Sequence, residues 1–360
     1  MFLAAMSIVG GLLLLVLGGE VLVRGASRLA RVMGISPLIV GLTVVAFGTS
    51  SPELAVSVQA ARNGTAEIAL GNVVGSNTFN VLFILGISAI ITPLVVSRTI
   101  IRREVPVMIG TSVVLMLMSL DGVVSRLDGF LLIIGLAAYL FWALRHTRCE
   151  KEPPAAHASN GQELTFQIAL IVGGLVALGF GSHILVSGAT LVATEIGMSQ
   201  LIIGLTIVAV GTSLPEVVTS LTAAWRGERD IAVGNVVGSN IFNVLAVLGT
   251  ASLVSPNGIT VSSTALSLDI PVMLAASVAC LPIFFSGSQI IRWEGTMLLG
   301  YYVVYTSYLV LAASESHFAS VAGKLVALVV VPLTILTLSV NVANGIRTKA
   351  KARAAASLHG

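Results

Sequence analysis

Gly48-Thr49-Ser50-Ser51-Pro52-Glu53, GTSSPE, interrupts one of the most apolar runs of the chain, GLTVVAFGTSSPELAVSV at 41–58. A helix built only to cross a bilayer gains nothing from a proline, three hydroxyls and a carboxylate at its middle. The same interruption returns as GTSLPE at Gly211–Glu216. The two stretches have to be read together.

Their surroundings are those of an integral membrane protein. Of the 360 residues 56% are hydrophobic and 10% charged, and the mean hydropathy is +1.01; soluble domains carry roughly 25% charged residues. Apolar runs of about 20 residues recur from end to end, which predicts helical spans and not the alternating pattern of a barrel. Spans are expected at 3–23, 37–60, 68–91, 105–120, 128–145, 165–187, 200–224, 231–254, 268–285, 295–313 and 319–343. The N-terminal run lacks a basic n-region and reads as a retained first span. The net charge of +3 is dispersed over loops and points to no nucleic acid. Cys149 lies in a polar loop and Cys280 in a span, so neither a disulfide nor redox chemistry is indicated. With the N-terminus outside and the C-terminus in the cytoplasm, Lys and Arg fall 16 inside to 3 outside, as the positive-inside rule asks of a plasma-membrane protein.

Residues 41–86 align without gaps to 204–249, and 29 of the 46 positions are identical. The matched blocks include GLT, GTS-x-PE and GNVVGSN-x-FNVL, and the match extends from Gly25-Ala26 with Gly188-Ala189 to Asp128-Gly129 with Glu294-Gly295. A whole five-span unit is therefore duplicated, and five is odd, so the second copy enters the membrane from the opposite side. The expected fold is an all-α polytopic membrane protein of two inverted five-helix repeats, with an extra C-terminal helix. The units are 1–146, a cytoplasmic loop at 147–163, 164–313, and 314–360 with the extra helix and a basic tail.

Glu53 and Glu216 each fall near mid-span, where an ionised group costs on the order of 2.5–3.5 kcal/mol. Such residues face a partner or an aqueous cavity. Pro52 and Pro215 lack a backbone N–H, which predicts freed carbonyls around Ala46–Phe47 and Ala209–Val210, with Gly48 and Gly211 permitting an irregular backbone. The hydroxyls of Thr49, Ser50, Thr212 and Ser213 add oxygens. Oxygen-only ligation with no His or Cys suits hard cations such as Ca²⁺, Mg²⁺ or Na⁺. Ser76 and Asn80, and likewise Ser239 and Asn243, are four apart on one helix face and can complete a shell. Asn72, Asn77 and their copies Asn235 and Asn240 are either ligands or interhelical hydrogen bonds. Gly71, Gly75, Gly234 and Gly238 have the spacing of close helix packing. Asp121, Asp128, Glu195 and Glu294, at span ends, are expected to be solvated.

The duplicated GTS-x-PE and GNxxGSNxxN blocks resemble the two α-repeats of the cation/Ca²⁺ exchanger superfamily, above all its prokaryotic Na⁺/Ca²⁺ exchangers, over residues 1–313. The resemblance implies a central site of Thr49, Ser50, Glu53, Ser76 and Asn80 with Thr212, Ser213, Glu216, Ser239 and Asn243, and backbone Na⁺ ligands at Ala46 and Ala209. Asn at both 80 and 243, where some members carry an acid at the second position, argues against K⁺ co-transport. The implied activity is antiport of Ca²⁺ against Na⁺, with no enzymatic chemistry and no cofactor; its partners are the two ions and the bilayer.

Two carboxylates among neutral oxygens give a site charge near −2. One Ca²⁺ cancels it, as do two Na⁺ or two protons, whereas an empty site is costly to carry through a low-dielectric path. That asymmetry favours obligatory exchange. A H⁺-coupled divalent exchanger shares the same logic and is the alternative; a channel would need an open pore. No GxGD, Ser/His or HExxH motif points to an intramembrane enzyme.

Overall fold

A computed structural model describes residues 2–147, 161–198, 209–285 and 288–313. The proposed eleventh span at 319–343 and most of the 147–163 loop lie outside the described residues. The described chain is almost wholly helical: α1 (Phe2–Met33), α2 (Pro37–Thr49 and Ser51–Arg62, bent by 42°), α3 (Glu67–Ile91), α4 (Val105–Met118), α5 (Arg126–Thr147), α6 (Gly161–Glu195), α7 (Leu214–Trp225, preceded by the turn Ala209–Thr212), α8 (Arg229–Val254), α9 (Ile270–Phe285) and α10 (Arg292–Ala313). α1 and α6 overrun the spans read from hydropathy, ending at Met33 and Glu195 instead of 23 and 187.

Burial sorts the helices into two layers. The most apolar window of α8 is 100% buried and that of α3 72%, against 28% for α1 and α6, 22% for α5 and 11% for α10. α3 and α8 are thus the axis, and the apolar outer faces of the peripheral helices (Leu12, Leu13, Val16 and Leu17 on α1, Val172 and Val176 on α6) are exposed, as lipid contact requires.

Contacts obey an inverted two-fold relation. α1 and α6 run antiparallel at backbone distance, because glycine recurs every seventh residue at Gly11, Gly18 and Gly25 and at Gly174, Gly181 and Gly188. A Cβ on Gly18 would come within 3.0 Å of the Gly174 carbonyl, and one on Gly181 within 2.9 Å of the Gly11 carbonyl. The halves also exchange their last helices. α10 lies on α3 at Gly295 and Gly86, while α5 lies on α8 at Gly129 and Gly249. Outside the bundle, strand β1 (Leu94–Val95) pairs antiparallel with β4 (Gln289–Ile290), and β2 (Val123–Val124) with β3 (Ile259–Thr260), so each half supplies one strand to each ribbon.

One span-end expectation is corrected. Glu294 is 1% exposed and its carboxylate accepts the Ile291 N–H at 3.0 Å. Its repeat mate Asp128 accepts from the Ser125 N–H at 2.8 Å. Both satisfy an orphan donor at the start of a peripheral helix, where the helix dipole favours an anion.

Candidate cation site

The helix breaks bring their carboxylates to the centre of the bundle. Glu53 and Glu216 are 0% and 1% exposed. Each sits in the first turn of a half-helix that begins with Ser51-Pro52 or Leu214-Pro215, where proline costs no hydrogen bond. The Ala46 carbonyl accepts the Ser50 N–H at 3.0 Å and the Phe47 carbonyl accepts the Ser51 hydroxyl at 3.0 Å. The carbonyls expected to be free there are engaged. The one proline deprives of its helical donor lies four residues back, at Gly48 and Gly211; in the second half Ser182 of α6 donates to the Gly211 carbonyl at 2.5 Å. Gly48 and Gly211 are not among the described glycines with positive φ. What they give is room: a Cβ on Gly48 would lie 2.5 Å from Leu175 Cδ1, the end of a flexible side chain, and one on Gly211 would strike Val186 Cγ2, both on α6.

The polar side chains then bond across the two halves. Ser50 donates to Glu216 Oε1 at 3.2 Å, and Ser213 to Glu53 Oε1 at 3.0 Å. The Thr49 hydroxyl donates to Asn235 Oδ1 at 3.0 Å, and that of Thr212 to Asn72 Oδ1 at 3.5 Å. Asn72 Nδ2 in turn donates to the Glu53 carbonyl (3.2 Å) and to Ser57 (3.0 Å), and Asn235 Nδ2 to the Glu216 carbonyl (3.4 Å) and to Ser220 (3.0 Å). Asn77 Nδ2 donates to the Asn240 carbonyl at 3.1 Å and Asn240 Nδ2 to the Asn77 carbonyl at 3.3 Å. Asn80 and Asn243 donate to Asn240 Oδ1 and Asn77 Oδ1, each at 3.0 Å. Asn72, Asn77, Asn235 and Asn240 thus each donate to a neighbouring helix. The Ser76 and Ser213 hydroxyl oxygens lie 3.1 Å apart.

After this network is closed, nine buried side-chain polar atoms of the described residues have no hydrogen-bond partner, and five of them belong to the site: Glu53 Oε2, Glu216 Oε2, Asn80 Oδ1, Asn243 Oδ1 and Ser239 Oγ. Buried polar atoms are ordinarily satisfied. Four of these five are carboxylate or amide oxygens, which only accept, and a cation is what a set of acceptors can hold.

Glu53, Glu216, Thr49, Ser50, Ser213, Ser76, Ser239, Asn80 and Asn243 all lie buried on α2, α3, α7 and α8 or at their breaks. Thr212 is half-buried at the second break. Ala46 is buried with its carbonyl engaged, and Ala209 is the first described residue before the second break. The packing glycines hold for one half: Gly238 leaves 2.6 Å to the Leu42 carbonyl and Gly234 3.1 Å to that of Leu38. A Cβ on Gly71 or Gly75 would meet no neighbouring described element within 4 Å, and the chain equivalent to Leu38–Leu42 lies at 201–205, outside the described residues. Ser57, Ser220 and Ser182 escaped the sequence reading. The first two carried a signal, since they repeat at the same spacing after Glu53 and Glu216; Ser182 did not, since its repeat position is Gly19.

The model of the sodium/calcium exchanger protein family matches residues 3–145 and 166–311. The chain belongs to the sodium/calcium exchanger family. Among its relatives are the putative antiporter CaxA of Alkalimonas amylolytica, 38% identical over 85% of this chain and 98% of that one, and the sodium/calcium exchanger MaX1 of Methanosarcina acetivorans, 32% identical over 82% and 95%. The solved structure of the sodium-calcium exchanger NCX_Mj superposes with a TM-score of 0.76 at 31% identity, covering 85% of this chain and 98% of that one. Family and fold are those of a transporter and not of an enzyme. For this exchanger, the duplicated blocks that carry the family resemblance are also the residues whose oxygens meet at the centre.

Proposed function

We propose that the protein is a secondary-active antiporter that moves Ca²⁺ against Na⁺ by alternating access. The observation that carries this reading is the pair of buried glutamates from opposite halves, each with one oxygen held by a serine of the other half and one oxygen left over. Glu53 and Glu216 bind Ca²⁺ together with oxygens of Asn80, Asn243, Ser76 and Ser239. Ser50 and Ser213 position the carboxylates and, with Thr49 and Thr212, offer hydroxyls to Na⁺, with the Ala46 and Ala209 carbonyls joining when the breaks rearrange.

One Ca²⁺ or two Na⁺ cancels a site charge of −2, so loaded forms cross between conformations and the empty form is held back. The inverted halves, 1–146 and 164–313, supply two conformations of similar energy, one open to each side. The N-terminus is outside and the C-terminus cytoplasmic, in the plasma membrane, following the distribution of basic residues.

The coupling ion is tested in proteoliposomes loaded with Na⁺, with K⁺, or at a pH different from the bath. Radioactive Ca²⁺ uptake is expected only in Na⁺-loaded vesicles. Uptake driven by a pH gradient without Na⁺ would assign H⁺ as the counter-ion instead.

A further inference from the structure

α1 has 32 residues and is about 48 Å long, whereas about 20 residues cross the hydrocarbon. Its surplus carries Arg24, Arg28 and Arg31, spaced to share one face. That face meets the turn between α7 and α8 in an open cleft of about 210 Å³, lined by Ser27, Arg28, Arg31, Arg226 and Glu228 among others. Arg226 Nε donates to Glu20 Oε2 at 2.6 Å, and Arg24 Nη2 lies 2.5 Å from Glu20 Oε1. Ser27 donates to Glu228, whose Oε1 is 3.8 Å from Arg31 Nη1. Two carboxylates thus answer four guanidiniums, and among the described residues no carboxylate pairs with Arg28. The cleft keeps two positive charges in excess.

An ordinary scatter of surface arginines does not account for this, because the duplicated copy has none of it. The repeat positions of Glu20, Arg24, Arg28 and Arg31 are His183, Ser187, Leu191 and Thr194, and those of Arg226 and Glu228 are Asn63 and Thr65. In a chain that duplicates its central motifs nearly residue for residue, a charge cluster has been placed on one face only, where a long helix leaves the hydrocarbon. Guanidinium forks match phosphate oxygens in geometry and charge, and basic pockets between helices at this level take lipid headgroups.

We propose that this cleft binds a phosphate-ester anion, the headgroup of an acidic phospholipid, bridging α1 to the α7–α8 turn. Both helices that meet at that turn lead to the centre: α7 carries Glu216 and α8 carries Asn243. The site goes beyond the exchange reading and does not depend on which cation is carried.

The test uses the full-length protein in neutral detergent, titrated separately with phosphatidylglycerol, phosphatidylcholine and inorganic phosphate, and read by native mass spectrometry and thermal unfolding. Phosphatidylglycerol is expected to stay bound and raise the unfolding midpoint, and phosphatidylcholine not to. R28Q breaks no hydrogen bond or ion pair to a described residue and should weaken phosphatidylglycerol about fivefold, and R28Q/R31Q about 25-fold. R102Q, an exposed arginine outside the cleft, should leave it unchanged. Inorganic phosphate binding as well, with loss in R28Q, would assign the same site to a soluble phosphate. Equal lipid retention in wild type and R28Q/R31Q, an equal loss in R102Q, or no binding of either probe would overturn the proposal. Ca²⁺ flux of R28Q in phosphatidylcholine vesicles should match wild type, which keeps this outcome separate from the exchange reading.

Discussion

At the centre of the molecule the two halves are nearly interchangeable; at its rim they are not. Ser50–Glu216 answers Ser213–Glu53, Asn72–Ser57 answers Asn235–Ser220, and Asn77 and Asn240 exchange equivalent bonds. At the rim, the arginine stripe of α1 has a repeat copy with no arginine; behind the second break, a layer out from the carboxylates, Ser182 stands where the first half has Gly19. The difference separates two demands. A site presented in turn to both sides of a membrane gains from two halves of equal energy, while the faces meet different surroundings and are free to diverge.

The comparison is open to attack from its strongest element downward. The α1–α6 contact is symmetric, so Gly18→Leu and Gly181→Leu should be about equally damaging. Each drives a side chain into backbone within about 3 Å, and over-packing of this kind costs about 1–3 kcal/mol or more. Thermal unfolding in detergent should show both variants well below wild type; a normal midpoint in either would mean that the two helices are not in backbone contact. Next come the inner fasteners. Asn77→Leu and Asn240→Leu each strip a donor from a buried carbonyl, at about 1–3 kcal/mol, and matched falls in the midpoint are expected. A large effect from one alone would break the symmetry of the centre.

The third variant probes the asymmetry itself. Ser182→Ala leaves the Gly211 carbonyl without its capping hydroxyl, a loss of about 1 kcal/mol. It should slow Ca²⁺ exchange while leaving bound Ca²⁺ per protein unchanged at saturation. Unaltered exchange would show that the second break needs no cap. The smallest effect is expected at Ser51, which is exposed and whose hydroxyl, among the described residues, bonds the Phe47 carbonyl of its own helix; Ser51→Leu, the residue found at the repeat position 214, should change stability by about 0.5 kcal/mol or less and leave flux intact.

Much of this was legible in the residues. Hydropathy located the described helices, and the ungapped repeat with an odd number of spans fixed their inverted arrangement. The polar residues of GTS-x-PE and GNVVGSN do meet on α2, α3, α7 and α8. What spacing along one chain does not reveal is which half a side chain bonds to: Ser50 lies three residues from Glu53 yet serves Glu216. The room that Gly48 and Gly211 leave was also hidden, because the side chains that use it, Leu175 and Val186, are on α6. Nor did any residue pattern announce that Asn80 and Asn243 each open a π-helical turn, a distortion that recurs at functional sites. Glu294, read as solvated because it stands at a span end, is buried because it closes the start of α10.

The central claim is that Glu53 and Glu216 hold the transported cation between them. The most direct measurement is counterflow of radioactive Ca²⁺ in proteoliposomes containing wild type, Glu53→Gln or Glu216→Gln, with each variant first shown to be folded by its elution profile and unfolding midpoint. Wild type should accumulate Ca²⁺, and both variants should fall to the level of protein-free vesicles. Wild-type counterflow in either variant would contradict the account.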